Sequence, residues 1–378
     1  MQIKNVIVGA GIAGCVLARR IAEEKNEKVL VIERKDHIGG YCFDYRNKQG
    51  ILVHRYGPHI FRTDLKEVWE YLSRFTKWHH YQHKVLAYVQ GKYYPMPINL
   101  DTVNEFLGTR YDSENVHEYF EKNRVDISKI ETVKDVVESQ IGTLFYDAFF
   151  KNYTQKQWGK SPENLPKEIV ARIPIRSNRD DRYFTVRYQA MPLDGYTSMI
   201  QNMLSHPNIK VMLNTDFKEI KSELEYEKLY YSGAIDEYYD YQYGKLPYRC
   251  VQFEVIDLEK SWAQPTAVVN YPNDYDYTRI TEYKHFYDYV TDKTVISREY
   301  SSEEGEPSYP IPQKENIEIY KKYLSLKDDQ NVRFVGRLGE YRYYSMDQIV
   351  NNMLKYSLQG TTQGRYLTGG VPPVRFSM

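Results

Sequence analysis

Short apolar runs and glycines alternate over the first forty residues. Val6-Ile7-Val8 is an apolar run that leads directly into Gly9, and residues 28–33 (Lys-Val-Leu-Val-Ile-Glu) form a second run. Runs of this length predict strands that are buried on both faces, as in parallel sheets. Residues 12–24 lie between them and predict a helix. The pattern therefore predicts a strand–helix–strand unit at the start of the chain.

Farther along the chain the pattern changes twice. Residues 64–160 interleave charged positions with aromatic and aliphatic ones, which predicts a mainly helical region. Residues 167–190 are rich in Arg, Pro and Asn and predict an ordered loop that enters a strand. Between 248 and 300, β-branched and aromatic runs favour an antiparallel sheet. Further strands are predicted at 211–213 and 332–336, and a last helix at 346–358.

Composition narrows the classes of function. Apolar residues make up 42% and charged residues 27%, as in globular proteins. Lys plus Arg equals Asp plus Glu at 51 each, which argues against nucleic acid as the main partner. The 3 cysteines lie far apart, so we expect neither disulfides nor zinc, and a cytoplasmic location fits. No apolar stretch is long enough to predict a membrane span.

A glycine-rich segment follows the first predicted strand and opens the first predicted helix. In Gly9-Ala10-Gly11-Ile12-Ala13-Gly14, Gly9 permits the tight turn, Gly11 lets the backbone approach a pyrophosphate, and Gly14 lets helix and strand pack closely. The helix N-terminus offers unpaired N–H groups to phosphate. Glu33 ends the second strand, about 20 residues on, where an acid binds the ribose hydroxyls. These features together predict a dinucleotide cofactor.

The continuation after Glu33 favours FAD over NAD. Arg34 and the pair Gly39-Gly40 resemble the FAD-binding family that includes amine oxidases and GDP-dissociation inhibitors. In that family a late strand and glycine close the cofactor site, which implies that Arg337 of Val335-Gly336-Arg337 pairs with the pyrophosphate. The cofactor-binding residues expected in this way are Gly9, Gly11, Ile12, Ala13, Gly14, Glu33, Arg34, Gly39, Gly40, His59, Ile60, Gly336, Arg337, Tyr343 and Met346.

Several further motifs resemble the bacterial UDP-galactopyranose mutase family, and the resemblance runs essentially from end to end. The order of the motifs along the chain makes it specific. They are Tyr-Gly-Pro-His-Ile-Phe at 56–61, Asn-Tyr-Thr-Gln-Lys-Gln-Trp-Gly at 152–159, Ala-Arg-Ile-Pro at 171–174, Asp-Arg-Tyr-Phe at 181–184, Tyr-Thr-Arg at 277–279, Tyr-Pro-Ile-Pro at 309–312, and Gly-Arg-Leu at 336–338 followed by Tyr-Arg-Tyr at 341–343.

The resemblance implies a redox-neutral use of the flavin. In the family, N5 of reduced FAD attacks the anomeric carbon of UDP-galactopyranose and expels UDP, and the ring then contracts through an iminium to give UDP-galactofuranose. The flavin must first be reduced, by NAD(P)H or another reductant. Family members are commonly homodimers, and their product supplies surface polysaccharides. We therefore expect an isomerase with a UDP-sugar substrate.

The resemblance also implies the substrate site. Arg172 and Arg279 would bind the diphosphate, since guanidinium groups suit phosphate oxygens. Tyr183, Tyr309 and Tyr343 would donate hydroxyls to it. Phe150 and Tyr153 would stack on uracil, and Trp158 would lie beside the loop that carries Arg172. Arg249 and Asn270 would lie near the sugar. His83 would lie at the edge of the site, and His59 against the flavin ring.

Two positions depart from the common family pattern. Many members have His where this chain has Arg62, and a branch that accepts UDP-N-acetylgalactosamine has Arg there, so this sugar is an alternative substrate. Many members also have Asp or Asn where this chain has Ser345. The clustered His79, His80 and His83 lack an acidic or Cys partner at metal-ligand spacing, so no metal is expected.

The combined expectation is an α/β fold with three regions. A Rossmann-like FAD-binding domain would comprise residues 1–75, 191–240 and 315–378. A helical insertion would cover 76–165, and a twisted antiparallel sheet for the substrate would comprise 166–190 and 241–314. The alternatives are a flavin oxidase or desaturase of the same fold and a cofactor-free binding scaffold, but the Arg and Tyr set favours a diphosphate substrate.

Overall fold

The computed structural model of the chain describes residues 3–170, 174–311, 313–326 and 331–358. A π-helix at Tyr146–Lys151 leads into the sixth α-helix. The strands are β1 (Ile3–Val8), β2 (Val29–Ile32), β3 (Asp44–Arg46), β4 (Leu52–His54), β5 (Phe61–Thr63), β6 (Trp78–His80), β7 (Val85–Val89), β8 (Lys92–Met96), β9 (Tyr188–Pro192), β10 (Ile209–Met212), β11 (Tyr226–Tyr231), β12 (Tyr248–Leu258), β13 (Val268–Asn270), β14 (Arg279–Glu282), β15 (Thr294–Ser302), β16 (Pro307–Pro310) and β17 (Val332–Phe334). The α-helices are α1 (Ile12–Glu24), α2 (Lys66–Ser73), α3 (Leu100–Leu107), α4 (Ser113–Asn123), α5 (Val133–Phe145), α6 (Asn152–Trp158), α7 (Tyr196–Leu204), α8 (Phe217–Ile220), α9 (Ile235–Tyr238), α10 (Lys314–Leu324), α11 (Gly336–Gly339) and α12 (Met346–Lys355).

A five-stranded parallel sheet contains the predicted strand–helix–strand unit. Its order is β10-β2-β1-β11-β17, so β1 lies at the centre between β2 and β11. The β2 strand is buried along its whole length, as its uninterrupted apolar sequence predicted. Helix α1 connects β1 to β2, packs against α7 and α12, and covers residues 12–24 as predicted. The α/β class is confirmed.

A seven-stranded sheet has the order β16-β12-β15-β14-β13-β7-β8. The predicted runs between 248 and 300 form its antiparallel part. The sheet is mixed rather than purely antiparallel, because β13 pairs in parallel with β7. Its register sets Arg279 at the start of β14, opposite Asn270 of β13 on one side and Glu299 of β15 on the other. Three polar side chains are therefore brought together at one end of these strands.

The region 76–165 is not wholly helical, which corrects the sequence-based expectation. The β7 and β8 strands form a hairpin that joins the edge of the large sheet. The turn residues Gln90 and Gly91 both have positive φ, of 50° and 82°, as two-residue hairpin turns require. Alternate residues of β7 are buried. The hairpin was missed because Gln is not a typical residue of such turns and a five-residue alternation is a short signal.

A second correction concerns the strand at 188–192. It pairs with β5 and β6 in a separate three-stranded sheet, not with the large antiparallel sheet to which residues 166–190 were assigned. The physical reason is burial, since Met191 of β9 enters the same hydrophobic cluster as Phe61 of β5, and Ala190 is also fully buried. This pairing sets Arg62 on β5 near the loop that precedes β9.

Tyrosines contribute to the core as well as to rims. Tyr146, Tyr196, Tyr283 and Tyr323 are among the largest fully buried side chains. Tyr283 donates its hydroxyl to the carbonyl oxygen of His54 over 2.9 Å, which satisfies its polar end. Within the described ranges, no helix is long and apolar enough to cross a membrane.

Candidate active site

The glycine turn brings β1, α1 and the segment at Gly40 into close backbone contact. A Cβ at Gly14 would lie 2.1 Å from the carbonyl oxygen of Gly9, so this position accepts only glycine. A Cβ at Gly40 would lie 2.9 Å from the Cα of Gly11. A Cβ at Gly11 itself would meet nothing nearer than 3.9 Å. The backbone at Gly11 is therefore open on the side where a phosphate would approach.

The start of α1 has the charge properties of an anion site. The helix has no side-chain cap at Gly11 and no acidic residue in its first turn, so its N–H groups and positive dipole end face no competing anion of that turn. Glu33 is buried at the end of β2 and accepts hydrogen bonds from the N–H of Ala10 (2.8 Å) and of Lys35 (3.0 Å). A carboxylate has further lone pairs for ribose hydroxyls. These residues fit the adenosine diphosphate half of a dinucleotide.

Arg337 lies on the opposite side of this turn. A Cβ at Gly336 would lie 3.1 Å from the Cβ of Ala13, so the Arg337 turn touches the first turn of α1. Arg337 donates to the carbonyl oxygens of Ser308 (3.3 Å) and Tyr344 (2.8 Å). Its buried Nε has no hydrogen-bond partner in the described parts of the chain. A buried guanidinium nitrogen without a partner is what a bound phosphate oxygen would satisfy.

Tyrosines connect Arg337 to the second arginine of the site. The Arg337 guanidinium lies 5.3 Å from the ring centre of Tyr309 and 5.5 Å from that of Tyr343, and these two rings lie 5.6 Å apart. Burial, followed by the neighbouring Tyr343, raises the pKa of Tyr309 to about 12 although the nearby arginines lower it, so its hydroxyl stays protonated and can donate. The positive charge of Arg279 also interacts with this hydroxyl.

Arg279 is held from two sides. Its Nη2 donates to the Tyr153 hydroxyl over 2.7 Å, and its Nε lies 3.2 Å from Glu299 Oε1. Burial alone would lower the pKa of Arg279, but the negative charge of Glu299 and the surrounding tyrosines outweigh it and raise the pKa above its usual value. The guanidinium is therefore permanently charged. Opposite it, the buried Asn270 Oδ1 has no hydrogen-bond partner among the described residues.

A wall of aromatic and cationic side chains extends from Arg279 to Arg62. His83 packs edge to face on Tyr183, with ring centres 5.6 Å apart, and stacks on Phe184 at 5.9 Å. The Arg62 guanidinium lies 4.2 Å from the ring centre of Phe184. Burial and the charge of Arg279 lower the pKa of His83 to about 3, so His83 is neutral. Arg62 therefore borders the same site as Arg279.

His59 is fixed in a neutral state on the loop after β4. Its Nδ1 lies 2.8 Å from the Gly57 carbonyl oxygen, which can only accept, so Nδ1 carries the proton. Its backbone N–H donates to Nδ1 of the buried His54 over 3.0 Å. Burial, followed by the influence of His54, lowers the pKa of His59 to about 4. Arg337 also acts on this pKa, which sets His59 near the cofactor turn.

Six expected site residues have other contacts in this structure. Arg249 is buried and donates to the carbonyl oxygens of Gln157 (3.1 Å) and Lys156 (3.4 Å), so it braces the end of α6. Arg34 pairs with Glu237 at 3.2 Å. Phe150 is buried in the main hydrophobic cluster, and Trp158 packs against it. Ile60 and Met346 also pack against that cluster. Arg172 lies outside the described residues.

Glu299 is a site residue that the sequence analysis missed. It is a buried acid within strand β15, whose other residues apart from Arg298 are apolar or carry hydroxyl groups, and this unusual position was the available signal. Its Oε1 pairs with Arg279, and its backbone carbonyl accepts from the N–H of Thr278 over 2.8 Å. The pair holds Arg279 in place and leaves the site with a smaller net positive charge than the arginines alone would give.

Comparisons with known proteins identify the family of the chain. A family model described as UDP-galactopyranose mutase matches residues 148–343, and a model of an NAD(P)-binding Rossmann-like domain matches residues 7–75. A probable UDP-galactopyranose mutase of Klebsiella pneumoniae is 42% identical over 364 residues, covering 94% of each chain. A dTDP-fucopyranose mutase of Escherichia coli is 36% identical over 365 residues, covering 93% of this chain and 97% of that protein.

A solved structure has the same fold. The crystal structure of a reduced UDP-galactopyranose mutase matches with a TM-score of 0.73 at 17% identity, covering 94% of this chain and 96% of that one. The family match over the part of the chain that carries Tyr153, Tyr183 and Arg279 favours a mutase over an oxidase of the same fold. The chain belongs to the UDP-galactopyranose mutase family of isomerases.

Proposed function

We propose that this chain interconverts UDP-galactopyranose and UDP-galactofuranose with FAD as its cofactor. The observation that carries the proposal is the position of Tyr309 between two arginines. Arg337 lies over its ring at the cofactor turn, and Arg279 on the large sheet acts on its hydroxyl. A diphosphate bound by Arg279 and Tyr309 would therefore lie next to the cofactor site, as this reaction requires.

The chain's own residues explain how UDP would be bound and released. Arg279 supplies a fixed positive charge, and Tyr153, Tyr183, Tyr309 and Tyr343 supply hydroxyl donors. Such charge-assisted hydrogen bonds are each worth about 1.5–3 kcal/mol. Because the leaving UDP gains charge as the bond to the sugar breaks, these donors stabilise the transition state more than the substrate. Arg172 is proposed as a second cation for the diphosphate.

FAD is proposed because the residues at the glycine turn fit it. The open backbone at Gly11, the buried Glu33 and the unsatisfied Nε of Arg337 match ribose and pyrophosphate groups. When bound in its reduced form, FAD supplies a nucleophilic nitrogen that makes the isomerisation possible without net oxidation. We infer that NAD(P)H or another reductant activates it. His59 is proposed to border the flavin ring as a neutral group, since a charge there would oppose Arg337.

Arg62 extends the proposal to a second substrate. Its guanidinium lies over Phe184, on the wall that continues from His83 and Tyr183. A planar cation at this edge can donate to the carbonyl of an acetamido group, so we propose that UDP-N-acetylgalactosamine is also accepted. The dTDP-fucopyranose mutase among the relatives makes dTDP-fucose the third sugar to compare. A cytoplasmic homodimer completes the proposal.

A side-by-side assay of the purified protein tests this function. We expect a yellow preparation that, after reduction by dithionite, turns over UDP-galactofuranose, converts UDP-N-acetylgalactosamine more slowly, and is slowest with dTDP-fucose. Product formation is followed by chromatography, with the oxidised protein as the control. A colourless preparation that FAD cannot reconstitute would contradict the proposal. Equal turnover by the oxidised protein would exclude the nucleophilic role of the flavin, and oxygen consumption without isomerisation would favour an oxidase.

A further inference from the structure

The ammonium group of Lys156 is surrounded by backbone carbonyl groups of one loop. Its Nζ donates to the carbonyl oxygen of Tyr271 and lies 3.1 Å from that of Asp274, 3.2 Å from that of Tyr275 and 3.3 Å from that of Tyr277. An ammonium group has three N–H donors, so this loop engages all of them. Lys156 therefore occupies a carbonyl-lined cation site formed by the connection between β13 and β14.

The loop has a shape that needs a cation at its centre. Its base is closed by the hydrogen bond from the Tyr271 N–H to the Thr278 carbonyl oxygen, at 2.9 Å. Tyr275 has a φ of 60°, a left-handed conformation that is uncommon for tyrosine. The partial negative charges of four convergent carbonyl groups repel one another, and the carboxylates of Asp274 and Asp276 add to the negative charge around Nζ. Without the ammonium, the loop would rearrange.

The same loop connects two residues of the active site. Asn270 ends β13 and Arg279 begins β14, and they lie opposite each other in the register. Lys156 lies one turn after Tyr153 on α6, so both side chains extend from one face of this short helix. Tyr153 accepts from Arg279, while Lys156 holds the loop that precedes Arg279. Helix α6 thus contacts Arg279 in the site through Tyr153 and the loop behind the site through Lys156.

Neighbouring contacts tighten this junction. Asn152 donates its side-chain amide to Asn273 Oδ1 over 3.0 Å, and Asn273 donates to the carbonyl oxygen of Ala148 over 2.9 Å. These two bonds join the same loop to the start of α6 and to the preceding π-helix. They are neutral hydrogen bonds near the surface, whereas Lys156 provides the charge on which the inward-facing carbonyls depend.

We propose that Lys156 is a positioning residue for UDP-sugar binding, because its ammonium gives the loop 271–277 the shape that sets Arg279 and Asn270 in the site. The inference deepens the proposed function and rests on it, since UDP is the ligand that Arg279 would bind. It makes Lys156 a built-in replacement for a bound monovalent cation. Lys156 touches neither the cofactor turn nor the substrate in this role.

The first test is UDP binding to the oxidised holoenzyme. Lys156→Met keeps the length of the side chain but removes its charge and donors, and we expect UDP to bind about tenfold more weakly with an unchanged flavin content. Lys151→Met is the matched control, since Lys151 precedes α6 on the same segment and makes an exposed ion pair with Asp147. This control should bind UDP within about twofold of the wild type.

The second test asks whether the carbonyl site itself is responsible. Lys156→Ala leaves the carbonyl groups without their ammonium, so added ethylammonium or K⁺ should restore part of the lost UDP affinity. Tetramethylammonium has no N–H donor and should restore none. A lysine that matters only for general stability would show no such selectivity. If Lys156→Met does not fold, Lys156→Arg replaces it, because the planar guanidinium cannot direct its donors to these four oxygens.

The outcomes separate this inference from the proposed function. A wild type that binds no UDP overturns the proposed function and the inference with it. A wild type that binds UDP, together with Lys156 variants of wild-type affinity, overturns the inference alone. Equal losses in Lys151→Met and Lys156→Met, or a Lys156→Ala variant that no small cation rescues, also overturn it.

Discussion

Arg279 donates a hydrogen bond from Nη2 to the Tyr153 hydroxyl over 2.7 Å, across 126 positions of the chain. Because the hydroxyl oxygen accepts this bond, the hydroxyl proton is left for another acceptor. Burial raises the pKa of Tyr153, so that proton is retained at neutral pH. The pair therefore combines a permanent charge with a hydroxyl donor, which suits a diphosphate that gains charge as it leaves.

The first prediction concerns this pair. Arg279→Ala removes a buried charge from the transition state, and we expect kcat/KM of the reduced enzyme to fall about 10²–10³-fold, about 2.7–4 kcal/mol. Tyr153→Phe removes only the hydroxyl, and kcat/KM should fall about tenfold. Because the residues act together, the double variant should lose less than the sum of the two free energies. Steady-state kinetics of the four proteins checks this.

Arg298→Ala provides the control for the Arg279 variant. Arg298 lies next to Glu299 on β15 but pairs with Glu254 on the exposed part of the sheet, at 3.0 Å. Its removal should change kcat/KM by less than about twofold. Near-normal kinetics of Arg279→Ala, or an equal loss in Arg298→Ala, would remove Arg279 from the proposed diphosphate site.

The second prediction separates cofactor binding from folding at the glycine turn. A Cβ at Gly14 would lie 2.1 Å from the Gly9 carbonyl oxygen, whereas a Cβ at Gly11 would meet no protein atom nearer than 3.9 Å. Gly14→Ala should therefore destabilise the protein itself, by about 1–3 kcal/mol or more. Gly11→Ala should leave the stability of the apoprotein nearly unchanged but weaken FAD binding, because the methyl group occupies the approach of the pyrophosphate.

Flavin absorbance per chain and the melting temperature of the apoprotein measure these two effects. Each variant is the control for the other, since both add one methyl group to the same turn. A Gly11→Ala protein with full flavin content and wild-type FAD affinity would show that the cofactor does not approach this backbone. A Gly14→Ala protein as stable as the wild type would contradict the packing argument.

Local signals in the sequence predicted the cofactor half of the molecule better than the substrate half. Gly14 and Glu33 are separated by one helix and one strand, so their spacing along the chain fixes their spacing in space. The contact of Arg279 with Tyr153 depends instead on strand register and on how α6 packs, and only the family resemblance indicated a common site. The site of Lys156 consists of main-chain oxygens, which leave no mark in the sequence.

The third prediction follows from three buried histidines. Burial is the main cause that lowers the pKa of His54 and of His83 to about 3 and that of His59 to about 4, from 6.5 in the unfolded chain. As pH falls below 6.5, these histidines bind protons in the unfolded state but stay neutral in the native state. The free energy of unfolding should therefore fall as pH drops from about 6.5 towards 4, by up to about 1.4 kcal/mol per pH unit for each histidine.

Denaturant unfolding of the holoenzyme across this pH window checks the prediction. His83→Gln should flatten the pH dependence by the share of one histidine, whatever it does to absolute stability. His117→Gln is the control, because His117 is exposed on α4, and it should leave the slope as in the wild type. If His83→Gln and His117→Gln have the same slope, His83 is not buried as a neutral group.

The fourth prediction concerns Glu340, which follows the Arg337 turn, and it has the opposite sign. Its buried Oε2 has no hydrogen-bond partner within the described residues. Burial raises its pKa from 4.5 to about 7, although the charge of Arg342 and hydrogen bonds from Tyr344 and Gly336 oppose the shift. A raised pKa means that the native state holds its proton more tightly, so the stability from this group is present below about pH 4.5 and is lost as pH rises through 7.

Glu340→Gln should remove this dependence on pH. The variant should be more stable than the wild type by about 1–3 kcal/mol near pH 8, where the wild type must keep a carboxylate in a poorly solvated place, and the difference should shrink towards zero near pH 4.5. Glu118→Gln, on the exposed face of α4, controls for the change in net charge. Melting temperatures of the variant and the wild type at the two pH values measure this difference in stability. A variant that is less stable than the wild type at both pH values would contradict the prediction. It would mean that the Glu340 carboxylate has a cationic partner in the folded protein, because only then would its ionised form contribute to the stability of the turn at Gly336.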